Sequence, residues 1–278
     1  MPPAPATPAA ILKKSMSDVT SSVERACRIL RSLSEPGIGR LTEIANATDL
    51  DKTTVLRLLD VLTRDGFVRR DPQTKRYALG PELLVLGSAA LKRFDPRPFV
   101  QPSLWRLAGT FEDSVILSIP SGVESLCADV VEGTFPIRAN YLAVGSRRPL
   151  GVGAGSLALL AWIADDERRA ALEIIGPQLR RYPKLNAKLL ERYALEARER
   201  GYAVMLDAVV DRMGGIAAPL MGPDGRPVAA ISIAALTERI VSREAALGKA
   251  LQRECAVCEV LWRGASSGAA PRRTRVVR

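Results

Sequence analysis

The sequence has no histidine among its 278 residues, and that absence removes whole classes of chemistry. No Ser-His-Asp triad or Cys-His dyad can be assembled, and no zinc site with an imidazole ligand. Cysteine is scarce: Cys27, Cys127, Cys255 and Cys258 are the four in the chain. Nothing in their placement suggests a disulfide framework, which fits a reducing cytoplasm. Cys27 falls on the apolar side of a helical pattern and reads as core. Cys255-Ala256-Val257-Cys258 has redox or metal spacing but sits in an apolar helical run without a second ligand pair, so packing is the simpler reading. A signal peptide is also missing, because MPPAPATPAAILKK lacks the apolar segment one requires. The longest uncharged run, Pro149 to Ala164, is too short for a membrane span and glycine-rich in its first half, so it reads as buried protein. A soluble, cytoplasmic chain without metal or cofactor is expected.

What is present is a globular composition with a basic excess. Hydrophobic residues make up 47% and charged residues 25%, with a formal charge of +10 and a pI near 9.8. Such a balance suits a polyanionic partner. Part of the excess sits in Arg272, Arg273, Arg275 and Arg278 at the end of the chain, so the placement of charge says more than its sum.

Residues 40–80 carry the sharpest pattern. Leu41, Ile44 and Ala45 give one side of a short helix, with Thr42 as its expected N-cap. Thr48-Asp49-Leu50 leaves room only for a turn. Val55, Leu58, Leu59 and Leu62 then recur at helical spacing, and Asp51 can cap that second helix. Gly66 stands where a C-terminal cap is expected. Phe67 to Arg70 and Arg76 to Leu79 flank Asp71-Pro72-Gln73-Thr74 as a hairpin. With its apolar side occupied, the second helix turns Lys52, Thr53, Thr54 and Arg57 outward, residue types that reach phosphates and base edges. The wing adds Arg69, Arg70, Lys75 and Arg76 against one acid. Double-stranded DNA is the expected partner.

Upstream, Ser21-Ser22-Val23-Glu24 reads as a capping box opening a helix with Val23, Ala26, Cys27, Leu30 and Leu33 inward. Downstream, Glu82 to about Leu91 is a helix more apolar than a solvated linker needs, which packing on its own domain or a second subunit would explain. The expected organisation is a tail at 1–18, a winged helix-turn-helix at 19–80, a linker at 81–98, a second domain at 99–263 and a basic tail at 264–278. The second domain should hold a mixed sheet. Its strands are expected at Ser114–Ile119, Ser125–Val131, Ile137–Leu142, Tyr202–Leu206, Gly215–Leu220 and Val228–Ala235, with a last helix capped by Ser242. The fold class is α+β.

Within that domain Gly151, Gly153, Ala154, Gly155 and Ser156 lead directly into a helix. Glycines there let the backbone approach a ligand, and a helix start favours an anion. No Lys follows Gly155, so a phosphate loop is excluded, and GxGxG is not a dinucleotide fingerprint. Two readings stay open, tight helix–sheet packing or a small carboxylate ligand. Asp207 and Ser232 are candidate partners for such a ligand, although Asp207 equally fits a solvated turn and Ser232 a bond to backbone.

SSVERACRILRSL, LTEIANATDLDKTTVLRLLDVLTRDGFVRR, YALGPELLVLG, the stretch from Gly145 through GAGSLALLAW, GYAV, GGIAAPL and VAAISI occur in one order. In this the chain resembles the IclR family of bacterial transcriptional regulators. The resemblance implies a winged helix-turn-helix, a linker helix and a GAF-like effector domain. It also implies dimers or tetramers on inverted repeats near catabolic genes, with small organic or aromatic acids as effectors. By position the family's pocket maps onto Leu150, Gly155, Ser156, Asp207, Gly215, Ser232 and Ala234. Gly151 stands where many members have His, and Gly215 and Ala234 replace a Cys and a Ser of some carboxylate binders. Those changes remove polar groups and shift the expectation towards a larger or more apolar acid. The alternatives are a constitutive architectural DNA binder and an enzyme working through Asp207 or Cys127.

Overall fold

The computed structural model describes residues 22–93, 96–137 and 142–266. The two tails, Ser21 of the capping box and most of the strand expected at Ile137–Leu142 lie outside that set. The chain divides into two units, Met1–Asp95 and Pro96–Arg278.

In the first unit a helix at 22–32 (α1) packs with α2 (Leu41–Thr48) and α3 (Lys52–Arg64). Ile29, Leu33, Ile44, Val55, Leu59, Val68 and Tyr77 form its core. The inward face of α1 is therefore rotated from the sequence expectation: Ile29 is fully buried, whereas Val23 and Cys27 are exposed. Thr42 is not the N-cap of α2. Arg40 holds that position, and the Glu43 carboxylate reaches back to accept from the N–H groups of Gly39 and Arg40 at 2.9 and 2.8 Å. Those two bonds hold Glu43 below the usual carboxylate range.

Helix α3 starts and stops on local chemistry. Asp51 Oδ1 accepts from Thr54 N–H at 2.8 Å. At the other end Phe67 N–H bonds back to Leu62 O, with Gly66 at φ +77°, the six-to-one closure of a Schellman cap. The wing follows as β1 (Val68–Arg70) and β2 (Tyr77–Leu79), antiparallel with Arg69 opposite Ala78. Its turn is organised by Asp71, which accepts from Gln73 and Thr74 N–H at 2.8 and 2.9 Å. Gly80 closes the unit: a Cβ there would lie 2.1 Å from Gly66 O. Helix α4 (Glu82–Arg93) leaves with Leu84 74% and Val85 60% exposed.

The second unit opens with α5 (Arg97–Phe111). Its six-stranded sheet is formed by β3 (Ser114–Ser121), β4 (Glu124–Val131), β5 (Arg147–Pro149), β6 (Ala203–Leu206), β7 (Met213–Met221) and β8 (Pro227–Leu236), in the order β5-β4-β3-β8-β7-β6. Every pairing is antiparallel, where a mixed sheet was expected. Hairpins join β3 to β4 and β7 to β8, and β3 pairs directly with β8 across the middle. Strand β5 was not anticipated, because three residues of Arg-Arg-Pro carry no β pattern.

Period-two alternation divides the sheet. Val115, Leu117, Ile216, Ala218, Ile231 and Ile233 face α5 and α10 (Glu244–Ser266). Ala217 and Ala230 face α6 (Ala154–Trp162), α7 (Asp165–Ile175) and α8 (Ala187–Arg200). Cys255 and Cys258 are buried on the α10 side, where burial raises both thiol pKa values. Ser242 ends the short α9 (Thr237–Val241) rather than capping α10. Helix α6 is apolar on all sides and buried throughout from Ala154 to Ala161. Its C-terminal carbonyls of Ala161 and Ile163 accept from the Arg198 guanidinium.

Gly80→Ala tests the closing contact of the wing. The added methyl cannot coexist with Gly66 O, so the variant should lose about 1–3 kcal/mol of first-unit stability, read from urea unfolding. Unchanged stability would show that the two turns tolerate separation.

Candidate functional site

The outward side of α3 presents Lys52, Thr53 and Arg57, all exposed. Thr54 is half-buried, and its N–H serves the Asp51 cap. Sequence reasoning missed Leu56, 40% exposed on the same side, an apolar group of the kind that meets a thymine methyl. In the wing, Arg69, Arg70 and Lys75 are exposed. Arg70 lies over the Tyr77 ring at 5.3 Å, and Lys75 occupies the left-handed region at φ +57°, which fixes the turn beneath it. Arg76 departs from expectation. Its Nη2 donates to Gly37 O at 2.7 Å and Glu43 Oε2 at 3.2 Å, and Tyr77 N–H bonds Gly39 O. Arg76 therefore ties the wing to the start of α2 instead of projecting from it.

The second unit contains a cavity of about 50 Å³ at the start of α6. Gly153, Ala154, Gly155, Ser156, Gly215, Ser232 and Ala234 all line it. Leu150, Gly151 and Asp207 do not. Leu150 belongs to the core. Gly151, at φ +89°, faces Leu160 and Leu190, so a side chain there would meet their methyl groups at 2.9–3.0 Å. Asp207 is turned to Thr237, whose Oγ1 donates to Oδ1 at 2.8 Å. The Ser156 hydroxyl is also committed, donating to Pro149 O and accepting from Gly151 N–H. Ser232 bonds Ile116 O weakly at 3.4 Å.

Lining residues missed from sequence include Ser118, Cys127, Arg148, Met205 and Met213. Strand parity could have found Ser118, since it alternates with Leu117 and Ile119. Arg148 needed β5: Arg147 pairs with Glu124 at the edge, and its neighbour turns inward. Burial pushes the Cys127 thiol up to about 11, so it stays protonated at neutral pH and is a poor nucleophile. Among the described residues no group of three or more His, Cys, Asp or Glu could hold a metal ion, and no helix is long and apolar enough to cross a membrane.

A polar, basic helix face with a wing lies in the first unit, and the second holds a small cavity at a helix start, features suited to a DNA-reading module joined to a ligand-binding one. Comparison with known proteins identifies the family. The IclR helix-turn-helix domain matches residues 22–72 and the "Bacterial transcriptional regulator IclR C-terminal" domain matches 88–257. The regulator XynR of Escherichia coli K12 is 30% identical over 82% of this chain and 91% of its own. KipR of Bacillus subtilis is 29% identical over 72% and 79%. The crystal structure of an IclR regulator from Alicyclobacillus acidocaldarius covers 86% of this chain and 98% of its own at TM-score 0.70 and 27% identity. The fold is shared as well with a Microbacterium hydrocarbonoxydans homologue crystallised with 4-hydroxybenzoate (TM-score 0.69, 21% identity, 87% and 99% covered). The chain belongs to the IclR family of bacterial transcriptional regulators.

Gly155 sets how closely α6 approaches the sheet, since a Cβ there would lie 2.9 Å from Ser118 Oγ and 3.2 Å from Ser232 Oγ. Alanine in a helix interior ordinarily gains about 1 kcal/mol over glycine, while overpacking costs about 1–3 kcal/mol. Gly155→Ala should therefore lower second-unit stability by about 1 kcal/mol in thermal unfolding. A rise would mean that the glycine has no packing role.

Proposed function

We propose that this chain is a cytoplasmic, non-enzymatic regulator of a catabolic operon that binds an inverted-repeat operator as a dimer or tetramer and responds to a small organic or aromatic acid. The observation that carries the DNA-reading half is the exposed set Lys52, Thr53 and Arg57 on α3 with Arg69, Arg70 and Lys75 on the wing. Arg57 and the hydroxyl of Thr53 suit base edges in a major groove, with Lys52 and Thr54 beside the Asp51 cap. The wing cations suit phosphates or an adjacent minor groove. Arg76 supports this face from behind by fixing the wing to α2.

Self-association is supported by Leu84, Val85 and Leu86, three consecutive apolar residues on α4 exposed by 48% or more. A two-fold dimer presents two α3 helices to half-sites about one helical turn apart. The ligand half rests on the cavity and on the acid held by the M. hydrocarbonoxydans homologue. A non-enzymatic role is supported by relatives named as transcriptional regulators or repressors and by the commitments of Asp207 and Cys127.

Arg57→Ala should cost about 1–3 kcal/mol on a specific duplex and relax its sequence preference. Lys75→Ala should weaken specific and scrambled duplexes alike and lower the salt slope by about 1. Both are read by titrating a duplex selected from promoter-region DNA at several salt concentrations. Wild-type affinity in both variants would remove this face from DNA recognition.

A further inference from the structure

Helix α3 carries two large apolar side chains that its own unit leaves uncovered. Leu56 and Val61 are 40% and 41% exposed. By contrast Val55 and Leu59 belong to the core of the first unit, and Leu58 and Leu62 pack against it. The two uncovered residues differ in where they stand. At about 100° per residue, Val61 lies about 140° round the helix from Leu56. It also falls in the last turn, after the exposed acid Asp60. Leu56 stands in the first two turns, among Lys52, Thr53 and Arg57, all of them exposed.

Those first turns are the part of a recognition helix whose side chains reach base edges. Lys52 and Arg57 form no ion pair among the described residues, so both charges can serve a duplex. A leucine set between them meets the same surface, yet it can neither donate nor accept a hydrogen bond. Over guanine, adenine or cytosine it would cover polar edge groups and leave them unpaired, which is costly. The major groove offers one apolar edge group, the C5-methyl of thymine. A solvated leucine and a solvated methyl both gain by leaving water together.

We propose that Leu56 packs on the C5-methyl of a thymine in the major groove and selects a T·A pair at that position. This rests on the reading of α3 as the DNA-reading helix. It adds to that helix a residue that specifies sequence without a hydrogen bond, while Lys52, Thr53 and Arg57 hold it in the groove.

The test uses the full chain and a duplex that the wild type selects from a random-sequence pool. Each thymine of that duplex is replaced in turn by deoxyuridine, which removes the methyl and keeps every hydrogen-bonding group. Burial of one methyl predicts about 3- to 10-fold weaker binding when the thymine under Leu56 is replaced. Leu56→Ala should bind the original duplex more weakly by a similar factor and no longer distinguish thymine from uracil there, the signature of a coupled pair. The wild-type ratio between the two duplexes should hold from low to high salt, because no phosphate contact is involved. Lys52→Ala should weaken both duplexes and keep the ratio. The thermal midpoint of Leu56→Ala shows that it folds.

Two results overturn the proposal while leaving α3 the DNA-reading helix. One is a selected duplex in which no thymine can be replaced to the detriment of wild-type binding. The other is a thymine preference undiminished in Leu56→Ala. Loss of self-association in Leu56→Ala with its thymine preference intact overturns it too, and assigns the side chain to a subunit contact. Selection of no sequence by the wild type removes both the proposal and the DNA-reading assignment.

Discussion

The second unit depends on the burial of one helix end. Helix α6 is enclosed on every side, between the middle of the sheet and α8, because its residues from Ala154 to Ala161 are small or aliphatic all round. A helix buried this completely must satisfy both of its termini. At the C-terminal end Arg198 supplies donors to Ala161 and Ile163. At the N-terminal end Gly153 has no side chain with which to cap. An unsatisfied buried N–H costs on the order of 1–3 kcal/mol, so a solvent- or ligand-sized space must remain there. The cavity follows from the way α6 is packed.

The first unit solves a related problem with local bonds. The helices of its core are short, and α2 has no cap from its own N-cap side chain. Glu43 compensates by collecting Gly39 and Arg40 N–H, and Arg76 binds the same carboxylate from the wing. One acid thereby ties α2, the preceding loop and the hairpin together. The cost is that one wing cation is withdrawn from the surface. Arg69, Arg70 and Lys75 remain exposed, so the wing keeps a net positive face.

Much of this was legible in the residues, and the failures have physical causes. Asp51, Gly66 and Asp71 read correctly because caps and Asx turns are local chemistry. Strand parity carried β7 and β8, where Ile231 and Ile233 alternate with Ser232. Strand β5 failed because its pairing to β4 is tertiary and its three residues have no β preference; Arg148 was lost with it. Val23 and Cys27 were placed inward because α1 is apolar on more than one side, and only the position of α2 and α3 selects Ile29 instead. Asp207 was legible as a polar residue at a strand end, but its bond to Thr237 depends on where β8 terminates, 30 positions later in the chain.

Under the proposed function, energetics also limit how DNA reading and ligand binding can be linked. A ligand shifts an equilibrium only by the difference in its affinity for the two states. Coupling of the usual size, about 1–3 kcal/mol, changes DNA affinity about 5- to 150-fold. A ligand at the start of α6 reaches that range only if its contacts differ between the two states by that much. Helix α6 is well placed for such a difference, because it packs on β3, β7, β8 and α8 with glycine at its tightest contacts. Rigid, close-packed elements of this kind switch between discrete arrangements rather than deforming smoothly.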